Sequence, residues 1–586
     1  MSNNRATPDD LKGMAAIGTA ALYPGRVKFI IGSGTCGLAM GARDIEETAI
    51  KTVRRLNADA LVTKTGCIGF CAREPLMDIV LPNGPRISYA DMTPEKTRAV
   101  LTAFFKNGDL SPRLALGKFS GDEHVLTGDV HAYPASSMAD GIPEWSQLDF
   151  FRRQKKVIMR NCGSIDPMSM EENIARGGYQ GVLRALTSMK PEAVIDTVIA
   201  SGLRGRGGAF FPTGQKWKFA RNAPGDTKYV ICNADEGAPG SSMDRSVIEG
   251  DPHAIIEGMI IGSYAIGARQ GYVYVRSEYP LAITILEHAI AEAEKYGLLG
   301  DDIFGSGWSF NLSVRRGAGA YVCGEETGLI ESIEGHSGEP RGRPPFPVNE
   351  GLWGKPTVVN NVKTWASVAP ILTRGADWYA SMGTKTATGT TIFSLEGAVK
   401  NAGLVEVPFG ITLRDMIYEI GGGLRDNKPC KAVQIGGPSI GCIPPSMLDL
   451  SIDSIDIPGK SANMGTGGII VLDDDACVVD MTRFLMGFFV DESCGRCAPC
   501  REGTKQMHHL LNEICDGNGR IEYIEKLERL GRAMSAASVC GLGNTASGPV
   551  TNALLHFRPE ILQHINEGVC AAGACNMGKP SLVVGK

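Results

Sequence analysis

Three cysteines, Cys494, Cys497 and Cys500, stand at intervals of three residues in the stretch DESCGRCAPCREG, residues 491–503. Gly495 and Pro499 work against a regular helix or strand there, so the spacing predicts a loop that turns three thiols towards one point. Whatever fold the chain adopts must accommodate a metal, a disulfide or a reactive thiol at that place. Sixteen cysteines in 586 residues are too sparse for a disulfide scaffold. In a reducing compartment, clustered cysteines more often bind metal or carry redox chemistry.

The length predicts three to five domains. A hydrophobic fraction of 43% and a charged fraction of 21% belong to a folded protein. A formal charge of −5 argues against a nucleic-acid partner. The first residues, MSNNRATPDDLKGM, lack a basic start followed by an apolar run, and no stretch approaches the roughly 20 apolar residues of a membrane helix. A soluble cytoplasmic protein with no membrane insertion is therefore expected.

Along the chain, VKFIIGSGTCG (27–37), ADALVTKTGCIGFC (58–71) and MDIVLP (77–82) read as strands, with ARDIEETAIKTVRRL (42–56) as an amphipathic helix. This predicts a small thioredoxin-type α/β domain over 1–106, with a polar, partly helical lead-in at 1–23. Residues 107–160, rich in Gly, Pro and charge, read as a connector. Alternating helix and strand patterns with Gly-rich loops predict a large α/β domain over 161–385. Residues 386–475 read as a compact α+β module. Apolar residues at three- and four-residue spacing predict a helical domain over 476–586.

Residues 202–217, GLRGRGGAFFPTGQKW, form the second informative stretch. Glycines there let backbone N–H groups approach a phosphate or a planar ring. The dinucleotide fingerprint is not met, because its third glycine falls at Phe210. Taken alone, the loop is equally an ordinary tight turn. CNADEGAPGSSMDR (232–245), GAGAYVCGEETGLIE (317–331) and PRGRPPFPVNEGLWGKPTVVNNVKT (340–364) follow in order. Together these motifs resemble the NADH-binding flavoprotein subunit of respiratory complex I and its soluble relatives in NAD-linked hydrogenases and formate dehydrogenases, from about residue 160 to 577.

The resemblance implies a Rossmann-like FMN and NAD domain, a ubiquitin-like (SLBB) module over 386–475 and a helical bundle carrying an iron–sulfur cluster. It implies FMN contacts at Gly205, Arg206, Gly207, Gly208, Lys216, Asn233, Asp235, Glu236, Tyr321, Gly324, Glu325, Asn360 and Asn361. Phe211, Phe219 and Phe346 would stack on the dinucleotide, with Glu326 near its ribose or nicotinamide. Aromatic faces suit an adenine, and a carboxylate by a ribose disfavours a 2′-phosphate. An isolated Phe is more often core, and an isolated Glu pair more often a solvated surface. Two positions depart from the family pattern: Ala238 replaces a carboxylate usual in complex I subunits, and Phe210 a usual glycine.

For the opening cysteines, the family implies a [4Fe–4S] cluster on Cys494, Cys497 and Cys500, with Cys540 of ASVCGLGN as the fourth ligand. Spacing alone also admits zinc; a one-electron exit beside a two-electron flavin favours iron. Near the start, Cys36, Cys67 and Cys71 resemble the thioredoxin-like [2Fe–2S] pattern, with Ile31 where a fourth cysteine is expected. Either three cysteines and another group hold a cluster, or the domain is a structural remnant. Near the end, His564, Cys570 and Cys575 are candidate zinc ligands, with Cys515 or His556 as the fourth, or else a buried His and free thiols. Cys162, Cys232, Cys323, Cys430, Cys442 and Cys477 read as small buried hydrophobes.

The implied function is hydride transfer between NAD(H) and FMN, and single-electron transfer to or from a [4Fe–4S] cluster. The implied setting is an NAD-dependent, electron-bifurcating hydrogenase or formate dehydrogenase. Expected partners are a thioredoxin-like [2Fe–2S] small subunit, a hydrogenase or formate dehydrogenase catalytic subunit, and ferredoxin. A complex I-like quinone reductase module is the alternative. A non-redox, zinc-stabilised nucleotide-binding or assembly protein is the alternative from another class.

Overall fold

The computed structural model describes residues 6–453, 455–457, 460–462 and 465–577. Strand β1 (Val27–Gly32) runs parallel to β2 (Ala60–Thr65). The helix Ala42–Arg55 connects them. It buries Ala42, Ile45, Ala49, Thr52 and Val53, the three- and four-residue recurrence of a one-faced helix. β3 (Met77–Val80), β4 (Arg86–Tyr89) and β5 (Ala115–Phe119) continue the sheet antiparallel, in the order β2-β1-β3-β4-β5. β5 corrects the expectation of a connector over 107–160. Its ALGKF sequence is short and only half-buried, and pairing with β4 rather than local pattern makes it a strand. A hairpin of β6 (Gly121–His124) and β7 (Asp129–Ala132) follows. Phe150, stacked on Phe70 at 4.1 Å, then pins the segment to the module beyond.

The lead-in is also docked. The helix Pro8–Leu22 buries Leu11, Met14 and Leu22, and a Cβ on Gly18 would lie 1.9 Å from the Glu171 carbonyl oxygen. Only glycine permits so close an approach.

The second sheet is fully parallel: β8 (Tyr229–Ala234), β9 (Gln270–Arg276), β10 (Asn311–Gly317) and β11 (Thr357–Asn361), in the order β10-β9-β8-β11. Its apolar strands are covered by helices, among them Pro252–Ile266, which is buried on nearly every face. The chain steps from β8 outward to β10 and then returns to the other side of β8. The strand order therefore reverses between β8 and β11. In open α/β sheets the crevice at the carboxyl ends of two such strands is where ligands bind.

The third sheet joins β12 (Thr390–Gly397), β13 (Gly403–Pro408), β14 (Cys430–Ile435) and β15 (Gly441–Ile443). After the β16 (Ile455–Ile457) and β17 (Lys460–Ala462) pair, β18 (Gly468–Asp473) enters its centre, giving β13-β12-β18-β14-β15. The helices Val478–Glu492, Ala498–Cys515, Glu522–Ala537 and Gly548–His556 then pack around Met486, Phe489, Leu511, Ile514 and Leu527. No helix among the described residues is long and apolar enough to cross a membrane.

Candidate functional site

The reversal between β8 and β11 opens into a cavity of about 1640 Å³. Sites for one drug-sized ligand span roughly 300–1,000 Å³, so this one has room for two. Asn233, Asp235 and Glu236 leave the end of β8 and line it, and Asn360 and Asn361 line it from the end of β11. Asn361 pairs in register with Asn233. The sheet topology thus delivers five of the expected residues to one lip.

The glycine loop closes the opposite side. The Gly205 N–H donates to the Phe211 carbonyl at 2.8 Å, and that of Thr213 to Leu203 at 2.9 Å. The residues between are forced outward as a tight excursion. Gly208 has φ +107°, a backbone L side chains rarely adopt, and a Cβ on Gly207 would press to 3.0 Å from the Asn361 Cβ. Phe210 carries φ +57° with a full side chain; its ring packs edge-on to Phe409 at 5.5 Å. The structure departs from expectation at Arg206. Its guanidinium is buried away from the cavity, donating to the carbonyls of Thr390, Arg204 and Thr388 and to the Tyr379 hydroxyl. Arg206 holds the loop rather than a ligand.

Phe211, Phe219 and Phe346 line the cavity while 47%, 46% and 50% exposed. Those exposures rule out the core reading and leave three ring faces for a planar ligand. Lys216 donates to Glu326 Oε2 at 2.8 Å and to the Val359 carbonyl at 2.8 Å, and Arg343 meets Glu326 Oε1 at 3.0 Å. Burial opposes ionisation of Glu326, but these two cations outweigh it and hold its carboxyl below the ordinary range. Glu325 instead caps its own helix, accepting from the Thr327 and Gly328 N–H groups at 2.9 and 3.0 Å.

Asp235 and Glu236 both shift the opposite way from Glu326. Burial pushes Asp235 up to about 7 despite Arg276 at 3.0 Å. Burial pushes Glu236 up to about 7 as well, although it accepts the Met243 and Asp244 N–H groups at 2.9 and 3.0 Å. Asp235 Oδ2 is buried without a hydrogen-bond partner among the described residues. An orphaned acceptor on a cavity wall is what a ligand with N–H groups, such as a flavin ring, satisfies. Gly324 and Tyr321 complete the expected set, the Gly324 carbonyl accepting from Asn233 at 2.8 Å.

The cavity reaches the cysteine site. Gly541 and Leu542, the residues after Cys540, line it together with Ser535 and Asn544. Cys494, Cys497, Cys500 and Cys540 are close enough to perturb one another electrostatically. The Cys540 sulfur is aimed at by the Leu542 and Gly543 N–H groups, and Cys500 lies 3.5 Å from Ser493 Oγ. The loop reading needs one correction. Cys497 stands at the residue before the helix Ala498–Cys515 and Cys500 lies in its first turn, because Pro499 falls where a helix tolerates proline. Four thiolates beside a helix N-terminus suit a cuboidal iron–sulfur cluster.

The C-terminal candidates gather, with an unforeseen fourth. Donor atoms of Cys477, His564, Cys570 and Cys575 all lie within 4.8 Å of one another. Cys477 Sγ is 3.4 Å from His564 Nε2 and 3.7 Å from Cys575 Sγ, near the ~3.8 Å edge of a tetrahedron with 2.3 Å Zn–S bonds. His564 Nδ1 lies 2.8 Å from the Glu560 carbonyl, which leaves Nε2 for the metal. Cys477 is therefore no inert hydrophobe. Cys515 falls in a separate grouping with Asp480 and Cys575, and His556 Nε2 is buried without a partner among the described residues. Sequence gave no signal for Cys477, 87 residues before His564, nor for Ser439 and Thr466, which line the cavity from the third sheet.

At the other end, the sulfurs of Cys36, Cys67 and Cys71 interact with one another, and Arg245 Nη2 lies 3.7 Å from Cys36 Sγ. Ile31 is fully buried in the sheet core.

Comparison with known proteins agrees with this geometry. Residues 198–370 match the Nuo51 FMN-binding domain, and residues 480–564 match the NADH-ubiquinone oxidoreductase-F iron–sulfur binding region. Over 424 residues, 72% of this chain and 86% of the relative, the sequence is 48% identical to the NADP-reducing hydrogenase subunit HndC of Solidesulfovibrio fructosivorans. Over 392 residues, 67% of this chain and 90% of the relative, it is 46% identical to an NADH-quinone oxidoreductase subunit of Aquifex aeolicus. The fold is similar to a chain of the NAD⁺-reducing [NiFe]-hydrogenase in its H₂-reduced state, with a TM-score of 0.63 and 27% identity, covering 95% of this chain and 90% of that one. The mixed α/β multidomain chain belongs to the family of NADH-binding oxidoreductase subunits that carry FMN and an iron–sulfur cluster within multisubunit complexes.

Proposed function

We propose that this chain is the NAD(H)-handling subunit of a soluble hydrogenase- or formate dehydrogenase-type complex. The observation that carries the proposal is one cavity bounded on one side by the glycine loop and on another by the residues following Cys540. Bound FMN supplies two-electron exchange with NAD(H) and one-electron exchange with a [4Fe–4S] cluster. The chain's residues bind and orient. Gly205, Gly207 and Gly208 admit the flavin, with Asn233, Asp235, Glu236, Asn360 and Asn361 along its edge. Phe211, Phe219 and Phe346 offer ring faces to the dinucleotide, and Glu326, kept ionised by Lys216 and Arg343, meets its ribose hydroxyls. No side-chain nucleophile is needed. Cys494, Cys497, Cys500 and Cys540 hold the cluster, and Cys477, His564, Cys570 and Cys575 a structural zinc ion.

The hydrogenase setting is supported by a fold likeness that runs over nearly the whole chain, the N-terminal residues included. The hydrogenase chain covers 95% of this one in structure, and the sequence relatives of both settings cover 67–72%. On this reading 1–106 is a thioredoxin-like domain, 107–160 a folded extension of it, 161–385 the flavin domain, 386–475 an SLBB module and 476–586 the cluster domain. The partners are a [2Fe–2S] small subunit, a catalytic subunit and ferredoxin, in the cytoplasm. Anaerobically purified chain should contain one flavin, at least about four irons and about one zinc, and NADH should bleach its flavin absorption. Protein with zinc but neither flavin nor iron would instead support a non-redox assembly role.

A further inference from the structure

The N-terminal cysteine site lacks one thiol, and the structure supplies a different donor. Cys36 follows β1 and Cys67 and Cys71 follow β2, so the parallel pairing of these strands brings the three sulfurs together. Ile31, at the sequence position expected for a fourth thiol, is aliphatic and packed in the sheet core. Three residues beyond Cys71 stands Glu74, only 5% exposed, its Oε2 accepting the Leu76 N–H at 3.0 Å. A Cβ on Gly32 or Gly37 would come to 3.3 or 3.2 Å from that same oxygen. The carboxylate thus lies against the end of β1, one residue from Ile31, in room that two glycines leave. It also reaches the Cys67 sulfur. Among the described residues no Lys, Arg or His forms an ion pair with Glu74, and a buried carboxylate without a counter-charge is costly unless a cation supplies it.

We propose that Glu74 is the fourth ligand of a [2Fe–2S] cluster held by Cys36, Cys67 and Cys71. A two-iron cluster needs four protein donors, and three thiolates and one carboxylate provide them. The Gly69 N–H donates to Cys67 Sγ at 3.3 Å, and Arg245 lies against Cys36, both fitting anionic cluster sulfurs. Position supports a redox group over a structural metal. The backbone N–H of Arg245 donates to Glu236 on the cavity wall at 3.3 Å while its guanidinium touches Cys36, so one arginine spans from the flavin site to this one. The inference rests on the flavin–cluster function proposed above.

The test uses full-length chain expressed alone and purified without oxygen, assayed for flavin, iron, sulfide and zinc, with low-temperature EPR after reduction. Wild type should hold about six irons per chain, four in the cubane and two here. Glu74→Gln should fall to about four with flavin unchanged. Glu74→Cys should hold about six, with the [2Fe–2S] EPR signal altered from wild type by all-thiolate ligation. Four irons in wild type, zinc in their place, an unchanged signal in Glu74→Gln, or a Glu74→Cys signal identical to wild type each overturns the ligand assignment. Absence of flavin and of the four-iron signal would instead sink the function proposed above, so the two failures are distinct.

Discussion

Glu257 sits on the buried helix Pro252–Ile266, its Oε1 accepting the Gly181 N–H at 3.1 Å. Burial pushes its carboxyl up to about 7. A carboxyl raised in the folded state binds its proton more tightly there than when unfolded. Its contribution to stability is therefore full below about 4.5 and lost as pH rises through about 7. Glu257→Gln should gain stability relative to wild type between pH 5 and pH 8, by at most about 3 kcal/mol. Thermal midpoints of both proteins across that range check it; parallel curves would show that Glu257 does not titrate there. A second residue-scale prediction concerns the cavity. Phe346→Ala removes a half-exposed ring that nothing in the core needs, so KM for the dinucleotide should rise about tenfold, near the 1.5 kcal/mol of an aromatic contact, with flavin content unchanged. A variant that loses its flavin instead would place Phe346 in the wrong half of the site.

At the scale of elements, what the sequence disclosed followed its range. Cys494, Cys497 and Cys500 were legible because one helix start carries them, and the Asn360–Asn361 end of β11 because it lies in a long motif. Cys477 was not, since it stands alone at the start of the helix Val478–Glu492 and meets His564 only through the packing of two helices. β5 was hidden for a related reason: its partner strand, not its composition, makes it a strand. The orientation of Arg206 depends on carbonyls over 180 residues away, which no local pattern encodes. The short helix Gly541–Thr545 shows how tightly the elements fit. A Cβ on Gly543 would meet Ser538 Cβ at 2.6 Å and Cys500 Cβ at 3.1 Å. Gly543→Ala should push the Cys540 segment away from Cys500 and lower iron by about four per chain while flavin stays bound. NADH would then still bleach the flavin, but reduction of one-electron acceptors would fall at least tenfold. Full iron content in that variant would show that the segment can yield without parting the ligands.

The whole molecule is joined by its cavity. The wall takes residues from the parallel sheet, from the third sheet at Gly436, Ser439 and Thr466, and from the bundle at Ser535, Leu542 and Asn552. The third sheet and the bundle also share a core, Ala432, Cys442 and Leu472 packing with Val478 and Phe489, and the Asn552 Nδ2 donates to the Ile440 carbonyl at 2.6 Å; a cofactor touching all three units adds to that coupling. Ligand binding to the folded state alone adds about 2.7 kcal/mol at a hundredfold excess over Kd. The gain should appear wherever the wall is made, not only in the sheet whose strand ends carry most of the contacts. Removing FMN should therefore raise amide hydrogen exchange over residues 535–552 as well as over 205–211, and restoring it should reverse both. Exchange that responds only in the glycine loop would mean that the bundle forms its share of the wall without the flavin, and that the cluster domain stands independently of it.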